Sequence, residues 1–158
     1  MAEMRFRYAE EKDIPLILQF IKELAIYEKM LDEVIATEAL LKEWIFEKRI
    51  AEVIFVQEDD TAVGFALFFH NFSTFLGRAG IYLEDLFVRP AYRGKGYGKA
   101  LIRKLAQIAV ERGCGRFEWQ CLNWNKPSID FYLSLGAKPM DGWTVYRIAG
   151  DTLQQLAE

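Results

Sequence analysis

Three glycines alternate with basic and aromatic residues in Arg93-Gly94-Lys95-Gly96-Tyr97-Gly98, immediately after the apolar stretch Tyr82-Leu83-Glu84-Asp85-Leu86-Phe87-Val88. An amphipathic run follows, with Leu101, Ile102, Leu105, Ile108 and Ala109 at helical spacing, and stops at Gly113. Strand, glycine loop and helix start therefore meet within a few residues. The first backbone N–H groups of a helix lack intrahelical partners and lie at the positive end of its dipole, so they bind phosphate wherever side chains leave room. Glycine at 94, 96 and 98 leaves that room. The junction reads as an anion cradle, and the rest of the chain has to be folded around it.

Spacing separates the known kinds of glycine cradle. A nucleotide P-loop needs a glycine, four residues, Gly-Lys and then a hydroxyl for the metal. Here Gly98-Lys99 is followed by Ala100, and Arg93 stands where the first glycine belongs. A dinucleotide fingerprint would read Gly96-x-Gly98-x-x-Leu101, without the third glycine needed for close helix–strand packing, although Glu118 lies at a plausible distance for a ribose contact. Ala51–Gln57, Ala62–Asn71 and Gly80–Val88 read as three consecutive strands joined by short polar turns. Such an antiparallel meander ahead of the glycine loop is foreign to a dinucleotide fold.

The remaining segments complete an α/β chain. Met4–Ala9 reads as a first strand, and Asp13 with Pro15 as the start of a helix running to about Met30. Glu28 lies at the C-terminal end of that helix, where the dipole disfavours a carboxylate. Thr37 caps a second helix to about Phe46, with Leu40, Leu41, Trp44 and Ile45 inward. Arg116–Leu122 reads as a strand, Asn125 with Pro127 opens a helix ended by Gly136, and Trp143–Ala149 reads as a last strand before a short terminal helix. The predicted fold is a single 1–158 domain, a mixed but mostly antiparallel twisted sheet with helices on both faces.

Composition narrows the class of partner. At 158 residues and 52% hydrophobic, the chain can bury a substantial core. A net charge of -3 argues against nucleic acid, which leaves a basic footprint on its partners. Apolar runs break well before the roughly eighteen residues of a membrane span, and Met-Ala-Glu-Met-Arg lacks a signal core, so a cytoplasmic protein is expected. Cys114, Cys121 and the single His70 form neither a disulfide framework nor a metal-ligand spacing, and no metal is expected.

Arg93-x-x-Gly96-x-Gly98 resembles the acyl-CoA motif of the GCN5-related N-acetyltransferases. The resemblance extends along nearly the whole chain and is greatest to the spermidine/spermine- and thialysine-type diamine acetyltransferases. It is carried by Lys22-Glu23-Leu24-Ala25-x-Tyr27-Glu28, Tyr82-Leu83-Glu84-Asp85-x-x-Val88, Tyr92-Arg93-Gly94-x-Gly96-x-Gly98 and Trp124-Asn125-x-Pro127-Ser128-Ile129-x-Phe131-Tyr132, with Gly136-Ala137 and Gly142-Trp143 behind them. It implies acetyl transfer from acetyl-CoA to a primary amine by direct attack, within a homodimer.

The chemistry then assigns roles. An aliphatic ammonium has a pKa near 10, about that of lysine, and must lose a proton before it attacks a thioester. Glu84 is the base that the resemblance favours, acting directly or through water. Neighbours on a strand point to opposite faces, so Glu84 and Asp85 share a face only at a bulge. Amides at Leu86, Phe87 and Val88 would meet the developing oxyanion and the pantetheine arm. Tyr132, with a reference pKa of about 10 against about 8.5 for a thiol, would return a proton to the departing thiolate.

The cofactor residues implied are Gly94, Gly96, Tyr97 and Gly98 with Arg93, Lys95 and Lys99 on the phosphates, and Asn125, Lys126, Pro127 and Ser128 nearer the sulfur. Tyr27, Glu28, Glu84 and Asp141 correspond to the amine pocket, a set suited to a small cationic substrate. One departure bears on which amine. Where the polyamine enzymes carry an acidic residue and a tryptophan, the loop reads Asn71-Phe72-Ser73-Thr74-Phe75-Leu76-Gly77, and Ser73 lacks a charge for a distant ammonium. That resembles the thialysine-type relatives and leaves diamines, polyamines and lysine- or ornithine-like amino acids open. A noncatalytic CoA-binding protein and a protein lysine or N-terminal acetyltransferase are the alternatives.

Overall fold

A computed structural model describes residues 2–158. The chain divides into two compact units, Met1–Gln120 and Cys121–Glu158. The first contains a five-stranded sheet in sequence order: β1 (Met4–Tyr8), β2 (Glu52–Glu58), β3 (Thr61–Ser73), β4 (Arg78–Val88) and β5 (Phe117–Trp119). The first four pair antiparallel and β5 joins β4 in parallel. The helix α1 (Ile14–Tyr27), the short α2 (Glu38–Leu41) and α3 (Tyr97–Glu111) complete this unit.

Alternation along the strands sorts their side chains between two cores. On one face Val53, Phe55, Phe65 and Phe87 pack with Ile17, Phe20 and Leu24 of α1. Phe20 stacks on Phe65 at 5.1 Å between ring centroids and meets Phe87 edge-on at 6.5 Å, within the range where aromatic pairs add to simple burial. Helix α3 packs on β3 and β4 and buries Leu101, Leu105 and Ile108. Its glycine ending is explicit, with Gly113 at φ +76°.

The expected elements of the first unit form, with instructive exceptions. Asp13 does not cap α1 through its side chain. Its carboxylate is taken by Arg7 at 2.7 and 2.9 Å and by the Glu10 N–H at 2.8 Å, and the Arg7 bond holds it below the ordinary aspartate range against the opposing effect of burial. Helix α1 stops at Tyr27, short of Met30, and Lys29 turns into the left-handed region at φ +62°. Thr37 caps α2 as expected, accepting from the Leu40 N–H at 3.2 Å. The helix then widens into a π-helical segment, Lys42–Glu47. Of the expected inward residues Leu41 packs on the core and Ile45 is buried, whereas Leu40 and Trp44 are exposed; Trp44 lies in the widened segment, where more residues per turn shift the stripe out of phase.

The second unit contains α4 (Lys126–Ser134), begun by Asn125 and ended near Gly136 at φ +89°, and α5 (Gly150–Leu156). The last strand expected at Trp143–Ala149 is not formed: these residues pair with no strand among the described residues. An apolar alternation is a strand only when a neighbour takes up its N–H and C=O groups. Arg116–Leu122 likewise shortens to Phe117–Trp119.

Candidate active site

The register of β4 builds the site. Ile81 N–H donates to the Arg116 carbonyl at 2.9 Å, away from β3, whereas Arg89 N–H donates to Val63 at 2.9 Å, toward β3. Simple alternation would turn two odd-numbered residues to the same edge, so one extra residue lies between them. It is found where Leu67 pairs Asp85 but Phe68 pairs Leu83, leaving Glu84 as the bulge. Two consequences follow. Beyond the bulge, Leu86 and Val88 turn their backbones to the β5 side, and the β5 ladder has already stopped at Leu83. That edge of the strand end is where amide donors are expected.

The second consequence concerns side chains. Asp85 lies opposite Leu67, which packs on the α1 core, and Tyr82 lies opposite Phe69 on the same face, with rings 5.2 Å apart. Glu84, two residues from Tyr82 and before the register shift, shares that face. The two carboxylates therefore face α1 together, where Glu28 is the C-cap. Burial raises Asp85 to about 7, with the charges of Glu84 and Glu28 adding to it. Burial and then Glu84 also raise Glu28. Among the described residues none of the three carboxylates is ion-paired. Uncompensated negative charge of this kind favours a cation arriving from solution. Sequence reasoning favours Glu84 alone and allows Asp85 to share its face only at a bulge; the structure forms that bulge, through the pairing of β4 with β3.

At the end of β4 the loop turns on glycine. Gly94 and Gly96 have φ of +79° and +87°, and a Cβ built on either would meet nothing within 4 Å. The first intrahelical bond of α3 runs from Ala100 N–H to the Gly96 carbonyl at 3.0 Å. The N–H groups of Tyr97, Gly98 and Lys99 thus precede the ladder and are open to an anion. The loop thus has open space beside amide donors that can meet an anion.

Side chains around this loop divide into two roles. Arg93 is turned inward: its Nε donates to the Val88 carbonyl at 2.8 Å, and its guanidinium lies 4.9 Å from the Tyr27 ring and 5.2 Å from that of Phe87. It ties the strand end to the Tyr27 side of the carboxylate site. Tyr97 is buried, with its hydroxyl donating to Glu58 at 2.5 Å, and Lys95 lies 3.5 Å from the same carboxylate. The Tyr97 hydroxyl is pushed up to about 12 by that hydrogen bond first and by burial second. Lys99 is in no ion pair among the described residues.

The second unit holds the other predicted residues. Asn125 accepts from the Ser128 N–H at 3.4 Å, and Pro127 lies in the first turn of α4. Lys126 is held by Asp130 one turn on, at 2.8 and 3.0 Å. Tyr132 follows Phe131 with rings 5.6 Å apart, and Asp141 lies in the turn beyond the helix.

Against known families, the acetyltransferase (GNAT) profile matches residues 18–137, from within α1 to just past α4. The chain belongs to the acetyltransferase (GNAT) family. As a GNAT protein it is an acetyl-CoA-dependent N-acetyltransferase. The chain is 38% identical to the thialysine N-epsilon-acetyltransferase of Sus scrofa, over 99% of each chain. It is 31% identical to the L-ornithine N5-acetyltransferase of Arabidopsis thaliana, over 96% of this chain and 87% of that one. Among solved structures, an integron cassette protein from the mobile metagenome of V. cholerae superposes with a TM-score of 0.82 at 30% identity, covering 98% of both chains.

Proposed function

We propose that this GNAT enzyme acetylates a primary amine of a small cation, and that lysine- or ornithine-like amino acids and short diamines are its substrate class. The observation that carries this reading is the group Glu28, Glu84 and Asp85, three carboxylates on the α1 side of β4 that are in no ion pair among the described residues. They attract an alkylammonium, and Tyr27 adds an aromatic face. The activities named for the thialysine and ornithine relatives support the same class. Ser73, uncharged at the β3 end, supports a shorter amine over a long polyamine.

In this reading Glu84 accepts the proton of the bound ammonium, directly or through water, and Asp85 shares it across the bulge. Amides of Leu86 and Val88 at the strand end stabilise the oxyanion that develops as the amine attacks, whereas the Phe87 N–H faces β3 and is left out of this role. Acetyl-CoA supplies the acyl group and the thiolate leaving group. Tyr97, Gly98 and Lys99 amides, with Gly94, Gly96 and the charges of Lys95 and Lys99, bind its phosphates, and Asn125, Lys126, Pro127 and Ser128 orient its reactive end. Tyr132 protonates the leaving sulfur, and Asp141 completes the amine pocket. Both units act as one catalytic domain, in a cytoplasmic homodimer as the family resemblance implies; no helix among the described residues is long and apolar enough to cross a membrane.

The test is thiol release from acetyl-CoA with a panel of thialysine, lysine, ornithine, short diamines and spermidine. Turnover should be highest with the amino acids and short diamines, and Tyr132→Phe should lower kcat by about 10²-fold with little change in acetyl-CoA affinity. Binding of acetyl-CoA without acetylation of any amine would remove the substrate reading. Full turnover by Tyr132→Phe would remove the tyrosine from the mechanism.

A further inference from the structure

Glu58 ends β2, far in sequence from the glycine loop, yet its carboxylate touches residues on both sides of Gly96. The buried Tyr97 hydroxyl donates to its Oε2 at 2.5 Å, and the Lys95 Nζ lies 3.5 Å from the same oxygen. Gly96 between them is in the left-handed conformation and forms the N-cap of α3 without any side-chain cap. A helix start normally relies on a capping side chain to fix its first turn. Here the loop and the first residue of the helix are instead anchored from a neighbouring strand. The Tyr97 side chain, drawn inward, is therefore no ligand of the phosphates, and only its backbone N–H is offered to them.

We propose that Glu58 and Tyr97 are positioning residues for acetyl-CoA, a latch that holds the 96–99 amides in their anion-binding arrangement before the diphosphate arrives. This rests on the reading of the cradle given above. The hydroxyl-to-carboxylate bond is charge-assisted and partly buried, which places it among the stronger protein hydrogen bonds. Its contribution to binding is preorganisation: without it the loop must be ordered at the moment of binding, and affinity drops by the ordering cost. Lys95 has a second part. Its ammonium neutralises the Glu58 carboxylate, which would otherwise repel the diphosphate from below the turn.

The prediction separates affinity from chemistry. Tyr97→Phe keeps the buried ring and loses the bond, and Glu58→Ala loses it from the other side. Each should raise the calorimetric Kd of acetyl-CoA roughly three- to thirtyfold, the range that one charge-assisted hydrogen bond can supply. The double variant should be no worse than either single one, because both remove the same contact. Glu58→Gln retains an acceptor for the tyrosine and should bind close to wild type. In the Glu58 variants kcat at saturating acetyl-CoA and the KM for the amine should stay within about twofold, a split expected when only cofactor binding is altered. Hydrogen exchange in the ligand-free protein gives a readout independent of the cofactor, and amides of residues 94–100 should exchange faster in Tyr97→Phe.

Several results would overturn the latch. They are wild-type affinity in both single variants, additive losses in the double variant, parallel loss of kcat and amine KM, or unchanged exchange in the loop. If the wild-type protein itself binds no coenzyme A derivative, the cradle reading fails instead, and the exchange experiment still reports on whether Glu58 orders the loop.

Discussion

At the scale of single residues, the decisive group is Asp85. A half-buried carboxylate close to two others, in no ion pair among the described residues, is raised to about 7, by burial first and by the charges of Glu84 and Glu28 after it. General-base catalysis is most effective when the acceptor titrates near working pH, so this residue has the affinity the reaction calls for. Carboxyl NMR titration of the ligand-free protein should find one aspartate with a midpoint near 7. Glu84→Gln removes a neighbouring negative charge, so that midpoint should move down. The same variant should lose about 10²- to 10⁴-fold in kcat as the general base is removed. An unmoved midpoint in Glu84→Gln would mean that the two carboxylates do not sense one another.

At the scale of elements, the glycine cradle was legible because its requirements are local. A loop that needs positive φ and space writes glycine at fixed positions, and Gly94 and Gly96 have both. The bulge in β4 was not legible, because it arises from how Leu67 and Phe68 pair with Asp85 and Leu83, a relation between strands. The inward turn of Arg93 was hidden for the same reason: Tyr27 and the Val88 carbonyl approach it only in the fold. Trp143–Ala149 shows the opposite error, a period-two pattern without a neighbour to pair. Helix α3 offers a controlled test of the cradle, because both of its ends carry a left-handed glycine with open space where a Cβ would stand, Gly96 at φ +87° and Gly113 at φ +76°. Alanine at either site should cost about 1 kcal/mol of stability through backbone strain alone. Only Gly96→Ala places a methyl group where the diphosphate is proposed to lie, so it should also weaken acetyl-CoA binding by at least about tenfold, or about 1.4 kcal/mol. Equal affinity in the two variants would move the phosphate site elsewhere.

At the scale of the whole molecule, the site opposes stability, and the sign can be worked out. Asp85 has an ordinary value of 3.8 and is raised to about 7 in the fold. Between these values the folded state holds a proton that the unfolded state has lost, so stability falls as pH rises through this window and levels off above it. At about 1.36 kcal/mol for each tenfold change in proton affinity, the ionised form costs on the order of 4 kcal/mol above neutrality. The hydrophobic layer of Phe20, Phe55, Phe65 and Phe87 can sustain that, since each buried aromatic contributes about 1.5–3 kcal/mol. Asp85→Asn removes the charge while keeping the shape. In thermal melts it should match wild type only below about pH 4, where Asp85 is protonated folded and unfolded alike, exceed it modestly at pH 5, and exceed it near pH 8 by about 1–3 kcal/mol more than at pH 5, less than the full cost because solvent and local relaxation screen the charge. The stabilised variant should be the less active one, since the unpaired carboxylate that weakens the fold is the one offered to the ammonium. Addition of a saturating cationic substrate should narrow the stability gap at pH 8, because a bound ammonium compensates Asp85 in wild type and finds one fewer partner in the variant. A gap that is the same at pH 5 and pH 8 would show that Asp85 carries no excess proton in the folded protein.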